Sequence, residues 1–556
     1  MTITPPTTTR RASATTTSFV ALVLLLASQV VGVPYQQRAQ AQESPTRASF
    51  SWAVDDRFGF DADGDGVIEI ENTPENAHNR LPASCSDECP EARFWVEFTA
   101  TPQALQIGLP GPGLISYEWH VSGPAGSGVY HRTRPDLRLR LPEGPHEIDL
   151  RVAVELPWGR ITLRDRAQIV IDDLLVVAVG DSYASGEGSP DRIIVGDTEP
   201  QWADASGIAE AAAHAIAHRS TVSWPARTAL ALEDSSQHTS VTFVDMSVSG
   251  ARIDRGLLQG RTDPAIPAQF DDVERIVQGR HIDVLLVQIG GNDVGFSRVI
   301  RALVEADPLL NPVCYEVLFD NVWASAADGI WDRDTRVTYD PPFDFGCATV
   351  DGTRSVVPGF DGLVPAFARL DQRIDQLSVG AVYLMEYPDP TGGTTGGAIC
   401  DEIVGDLTPP FGFHEVDEQE QAAGVARLLD PLNRELEAAA ERYGWTFIGG
   451  VADGFTSGHG YCADWPNYGY PDEFEKSPLL FRNRLDFPEG WYRPPQRFGA
   501  PLILNDESVS WYRTGSQSSV LQGPTPRYLT PGTLHPNELG HAAMARLALT
   551  AIAGSN

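Results

Sequence analysis

Residues 174–188 read Leu174-Leu-Val-Val-Ala-Val-Gly-Asp-Ser-Tyr-Ala-Ser-Gly-Glu-Gly188. An unbroken apolar run that stops at Gly180-Asp181-Ser182 is the pattern of a strand buried on both faces and ended by a turn. A serine after Gly-Asp, taken alone, is a turn residue or a helix N-cap. Whether Ser182 is that or a nucleophile depends on what the rest of the chain brings beside it.

Working outward, Val241–Asp245, Val284–Ile289, Ala381–Tyr387 and Trp445–Ile448 are further short apolar runs. Between and after them lie helical patterns: Ile208–Ala217, Pro225–Leu232, Gln269–Gln278, Val416–Tyr443 and Pro536–Ala553. In the fourth, Ala422, Val425, Leu428, Leu429, Leu432 and Leu436 share a face, and Pro431 is expected to kink or split the helix. Strands alternating with helices predict an α/β domain, a parallel sheet with helices on both faces, over residues 174–556. Two stretches, about 303–375 and 450–530, show no regular pattern and read as long functional loops. Residues 49–173 read differently. Phe94–Phe98, Ile115–Val121 and His146–Glu155 are strand-like, and in the last Ile148, Leu150, Val152 and Val154 alternate with Asp149, Arg151, Ala153 and Glu155. Period-two runs between Gly/Pro turns predict an all-β sandwich ahead of the α/β domain.

The chain has 556 residues and a formal net charge of -34, with no basic run to offset it. Nucleic acid and anionic membrane surfaces are therefore not expected as partners. Residues 1–41 carry Arg10-Arg11, a largely apolar stretch from Phe19 to Val33, and Ala39-Gln40-Ala41. That order matches a secretory signal peptide, and the apolar run is short for an uncleaved bilayer anchor. The expected location is secreted, extracellular or periplasmic. No later segment is apolar enough to span a bilayer. Export agrees with an even set of six cysteines, Cys85, Cys89, Cys314, Cys347, Cys400 and Cys462, read as disulfides. Sequential pairing is the simplest of the fifteen connectivities that six cysteines allow. Asp61, Asp63 and Asp65, with the Val67 carbonyl, have the spacing of a calcium loop; Asn72 stands where such a loop has Glu, and a solvated acidic turn is the other reading. Any calcium there would be structural.

Three of the strands end in residues suited to chemistry. They lead into Gly180-Asp181-Ser182, Ser249-Gly250-Ala251 and Gly290-Gly291-Asn292-Asp293, and the last helix opens with Leu534-His535-Pro536-Asn537. In chain order these are Ser, Gly, Asn and His. With their neighbours, "VVAVGDSYASGEG", "DMSVSGA", "VQIGGNDVGF" and "LHPNELGH", they resemble the GDSL/SGNH hydrolase superfamily of secreted bacterial lipases and esterases. The segment from His218 to Pro225 is similar to one in that group. Tyr117–Gly123 and Pro142–Pro145 resemble immunoglobulin-like domains of the polycystic-kidney-disease type.

The hydrolase resemblance implies a three-layer α/β/α domain that cleaves carboxylic esters through an acyl-enzyme on Ser182, with His535 as general base. It implies an oxyanion hole from the backbone N–H of Ser182, the backbone N–H of Gly250 and the Asn292 amide. Acyl transfer needs those parts: a nucleophile, a base and donors for the developing oxyanion. It requires no cofactor. The substrate would be a small-molecule or lipid ester, or alternatively an acetylated carbohydrate. A competing reading is a non-catalytic protein that contacts a glycan or surface partner through its β-sandwich.

The sequence departs from the superfamily at one position. The usual aspartate three residues before the histidine is Gly532 here. A Ser–His dyad, with the Gly532 carbonyl orienting the imidazole, is the favoured reading; a distant carboxylate, Asp506 or Glu507, is the alternative. Asp293, whether as a helix cap or otherwise, and His541 are expected to be structural, and Glu187 to support the loop after Ser182. The aromatics between Tyr461 and Tyr512 either line a substrate site or pack their own insertion.

Overall fold

The computed structural model describes residues 49–54, 93–101, 115–156, 159–190, 217–220, 222–262, 265–277, 279–305, 322–330, 356–392, 402–403, 416–461, 463, 510–513, 518 and 532–555. The leader, the six cysteines, the acidic loop at 61–72, Asp506, Glu507 and most of the predicted helix at 208–217 lie outside them, as do Trp465, Tyr468, Tyr470, Trp491 and Tyr492.

Among the described residues seven strands come first: β1 Phe50–Val54, β2 Arg93–Ala100, β3 Ile115–Gly123, β4 Gly126–Arg132, β5 Asp136–Pro142, β6 Gly144–Leu156 and β7 Gly159–Gly180. They form two antiparallel sheets, β1–β2–β5 and β4–β3–β6–β7. Phe98 and Leu137 from the first share one core with Trp119, Ile148, Leu150 and Ile171 from the second. This follows from the alternation read in the sequence, since every second side chain points inward.

The 22-residue β7 carries the transition. Its first part alternates and pairs with β6. From Leu175 onward nearly every residue is buried, because the strand now lies inside a second sheet. The change of pattern at Leu174 is thus a change of surroundings along one continuous strand.

The second sheet adds β8 Thr239–Asp245, β9 Ile282–Gln288, β10 Val379–Met385 and β11 Thr446–Ile448. Its order is β8–β7–β9–β10–β11, all parallel. The chain runs outward from β7 to one edge and then returns to its other side. Such a reversal leaves a crevice at the carboxyl ends of the two central strands, here β7 and β9. Ser182 follows β7 directly, and Asn292 lies just beyond β9. The protein is therefore a mixed α/β molecule with a mostly parallel central sheet.

The helices that bear on the site are α1 Ser182–Ser185, α2 Trp224–Asp234, α3 Gln269–Val277, α4 Phe296–Glu305, α5 Gly359–Ile374, α6 Asp430–Tyr443, α7 Val451–Thr456 and α8 Glu538–Ser555. Two of them correct the sequence reading. Helices α5 and α7 lie within stretches expected to lack regular pattern. In α5 the apolar period is present, with Leu363, Phe367, Leu370 and Ile374 buried, but Gly359, Gly362 and Pro365 interrupt it with residues of low helix propensity. At Pro431 the expected break takes the form of a wider turn. Val425–Leu429 is π-helical, and the Asp430 N–H bonds back to the Val425 carbonyl. A proline lacks the N–H that an α-helix requires there, and the five-residue π turn absorbs the defect. Among the described residues no helix is long and apolar enough to cross a membrane.

Candidate active site

The Ser182 loop is set by one glycine. A Cβ on Gly180 would stand 2.3 Å from the Gln288 carbonyl oxygen and 2.8 Å from the Ala184 Cβ, so only glycine fits between the ends of β7 and β9. Its N–H and C=O are held at 2.8 Å each by the two ends of the buried Gln269 amide. Asp181 then caps α1, accepting the Tyr183 N–H at 3.0 Å. This leaves Ser182 at the first position of a single helical turn, only 9% exposed.

His535 Nε2 lies 2.8 Å from Ser182 Oγ, across 353 positions of sequence. Its Nδ1 lies 3.1 Å from the Thr533 carbonyl. The carbonyl next to Nδ1 is therefore one residue nearer the histidine than expected. The Gly532 carbonyl chiefly accepts the His535 backbone N–H at 3.2 Å and adds a weaker pull on the ring. The cause is the backbone at Leu534, which has φ 59°. A left-handed leucine is strained and brings the preceding carbonyl round toward the ring. Tyr183 OH donating to the Leu534 carbonyl at 2.9 Å, and Arg513 bonding on both sides of it, hold that conformation. Burial pushes the His535 imidazole below its ordinary value, against the Glu187 charge and the Thr533 carbonyl. It is neutral near pH 7, the form a base requires.

The three expected oxyanion donors stand on loops tied to the serine. The Val248 N–H bonds to the Gly180 carbonyl at 3.0 Å, which places the Gly250 loop beside β7. Gly250 has φ 75°. Asn292 donates one amide hydrogen to the Ala251 carbonyl at 3.0 Å, leaving its second. Tyr387 OH donates to Asp181 at 2.5 Å and accepts the Gly291 N–H at 3.0 Å, so the serine and asparagine loops share one tether. Among the described residues nothing accepts the backbone N–H of Ser182 or Gly250.

Several neighbours are grouped in ways the sequence does not mark, although Glu187 and the segment from His218 were already legible in it. Arg513 is fully buried, donates from Nε to the Gly188 carbonyl at 2.8 Å, and pairs with Glu538 at 2.6 Å. Glu187 is buried and lies 2.6 Å from His218, whose own backbone is left-handed at φ 56°. Only distance in the fold, not spacing in the chain, groups them. His541 is structural as expected: it is fully buried, and its Nδ1 accepts the Trp224 N–H at 3.3 Å. Asp293 is structural too, though not as a helix cap: its carboxyl accepts the Ile253 N–H, because the loop after Gly250 folds over it. Among the described residues no cluster of metal-ligating side chains occurs. Of the aromatics, Tyr461, Trp511 and Tyr512 pack into the core, with both rings of the last two against Phe455.

Burial holds three aspartic acids protonated well above their ordinary range: Asp293 at about 8, Asp181 at about 7 and Asp245 at about 6. In the unfolded chain they ionise near 3.8. The native state therefore binds more protons across that interval, and the stability contributed by these groups falls as pH rises through it. Asp293→Asn removes the widest of the three windows. Urea unfolding between about pH 4 and pH 8 is expected to show a flatter loss of stability in that variant than in the unaltered protein; an unchanged slope would refute the protonated Asp293.

No family model matches the sequence, and no curated protein sequence matches it with significance. Among solved structures, the chain is similar to an extracellular lipase from Streptomyces rimosus, at 17% identity and TM-score 0.36 over 68% of this chain and 99% of that one. It is also similar to an acetylxylan esterase from Geobacillus stearothermophilus, at 14% identity and TM-score 0.26 over 69% of this chain and 95% of that one. Both likenesses are distant, and the chemistry rests on the residues themselves.

Proposed function

We propose that the protein is a serine hydrolase of carboxylic esters, of the GDSL/SGNH type, acting through Ser182 and His535. The carrying observation is the 2.8 Å contact between His535 Nε2 and Ser182 Oγ at the carboxyl edge of a parallel sheet. Nδ1 faces a carbonyl, so it bears the hydrogen and leaves the Nε2 lone pair toward the serine. As Oγ bonds to the ester carbon, its proton passes to Nε2 and the carbonyl electron pair moves onto oxygen. The N–H groups of Ser182 and Gly250 and the Asn292 amide receive that oxyanion. Collapse expels the alcohol, which takes the proton from His535. Water, deprotonated by the same nitrogen, then releases the acid and restores Ser182. No metal or organic cofactor enters these steps. We take residues 174–556 as the catalytic unit, residues 49–173 as an immunoglobulin-like accessory unit, and residues 1–41 as an export signal.

The test uses the unaltered protein. A fluorophosphonate is expected to label Ser182, and short-chain nitrophenyl esters to be hydrolysed. Absence of both would remove the enzymatic reading. Lipid esters and acetylated xylan, compared in parallel, assign the substrate class.

A further inference from the structure

The catalytic histidine of a buried acyl-transfer site becomes an imidazolium midway through each half-reaction, and something must balance that charge. An aspartate three residues before His535 is absent, and the Thr533 carbonyl supplies a dipole, not a charge. Among the described residues the groups around the ring are few. From the nucleophile's loop come Ser182, Tyr183, whose ring centroid is 4.8 Å away, and Glu187. From residues 217–220 comes His218, and from the 510–513 segment Arg513. From its own loop and α8 come the Gly532 and Thr533 carbonyls, His541 and Glu538.

Two of these are carboxylates. Glu538 is bound to the fully buried Arg513 guanidinium, a permanent cation, so that pair is neutral. Glu187 is different. Its side chain is 1% exposed, and its partner is the His218 imidazole, which is 30% exposed and, unlike a guanidinium, is charged only when protonated. The next residue, Gly188, packs against the histidine loop: a Cβ on it would lie 3.3 Å from the His535 Cβ and 2.9 Å from the Gly532 carbonyl oxygen. The backbone at His218 accepts left-handed strain, and that conformation holds the ring on Glu187. Burial by itself would push Glu187 up, but His218, His535 and a hydrogen bond from Ser249 outweigh it and hold the carboxyl at about 2.

We propose that Glu187, held in place by His218, is the positioning carboxylate of this site and supplies through space the negative charge that the position of Gly532 lacks. His218 sets how much of that charge His535 feels. The pair is assembled from a loop after the first central strand and a loop before α2, so it replaces an acidic residue on the histidine's own loop with one on the serine's. The inference rests on Ser182 and His535 forming the reactive pair.

The test reads the pH dependence of kcat/KM, whose acid limb reports the free His535. Glu187→Gln removes the anion, so the limb is expected to move to lower pH, while kcat at the plateau falls by about tenfold, one logarithm of lost transition-state stabilisation. His218→Asn keeps a residue that tolerates left-handed backbone but removes the cation. The limb is then expected to move the other way, to higher pH. Opposite movements are outside what loosened packing produces. Limbs that stay in place, or move together, overturn the proposal. If Glu187→Gln does not fold, the direction of the His218→Asn limb alone decides. Labelling of Ser182 by a fluorophosphonate in the unaltered protein keeps the outcomes separate: no label defeats the hydrolase reading, whereas label with unmoved limbs defeats only the role of Glu187.

Discussion

Ser182→Ala is expected to lower kcat for a short-chain nitrophenyl ester by about five to six orders of magnitude, roughly 7–8 kcal/mol of barrier, while the fold survives. The size follows from what is lost. In the proposed reaction, without Oγ there is no covalent intermediate, and water would have to attack directly, helped only by the proposed donors at Ser182, Gly250 and Asn292. The fold survives because the serine's structural work is done by its backbone. The Ser182 carbonyl accepts the N–H groups of Gly186 and Glu187 at 3.2 and 3.0 Å, and these do not depend on the side chain. The one side-chain bond removed, to His535, is worth about 1 kcal/mol net. Urea unfolding of the variant should therefore stay within about that margin. His535→Ala should fall nearly as far, and the double variant little further, because the two residues act as a unit. A Ser182→Ala protein that kept a tenth of its turnover would rule out the acyl-enzyme.

Arg513→Met is expected to destabilise the protein by about 3–5 kcal/mol, because it strands the Glu538 carboxylate in a site that is only 1% exposed. The guanidinium also donates to the Gly188 carbonyl at 2.8 Å and reaches Ser189 Oγ at 3.4 Å. Its backbone brackets the histidine, donating to the His535 carbonyl at 2.8 Å and accepting the Leu534 N–H at 3.0 Å. One residue thus joins the loop after Ser182, the loop of His535 and the start of α8. Adding Glu538→Met removes the unpaired charge, so the double variant should regain most of the urea midpoint. It should not regain turnover, since the Gly188 carbonyl still lacks its donor and Gly188 stands against His535. A single variant that lost less than about 1 kcal/mol would show that the pair is not the anchor described.

Much of the architecture is local information. The run from Leu174 to Val179 has no polar residue, and such a run is stable only inside a sheet covered on both faces. The alternation in β6 likewise admits one face in and one face out. Gly180 and Gly250 are legible because backbone approach and left-handed φ have a residue signature. Helix α5 was hidden because the same kind of reasoning penalises Pro365 and Gly362, whereas burial of Leu363, Phe367 and Leu370 overrides that penalty.

The site divides along the same line. Ser182, Gly250, Asn292 and His535 each sit at the end of a strand or the start of a helix, where a short motif marks them in the chain. Their association is written in the order of those motifs. What holds and charges them is not written locally. Arg513 and Tyr387 look like ordinary residues until the tertiary structure buries them beside the histidine and serine loops, and the pairing of Glu187 with His218 shows only in the fold. The carbonyl nearest Nδ1 also depended on it, because the left-handed turn at Leu534 is imposed by Tyr183 and Arg513 from distant segments. Sequence alone determined the strand-ended serine and its chemical partners, since backbone propensity and residue type act at short range. Burial and hydrogen bonding across more than three hundred residues decided how the histidine is oriented and charged, and those act only once the chain has folded.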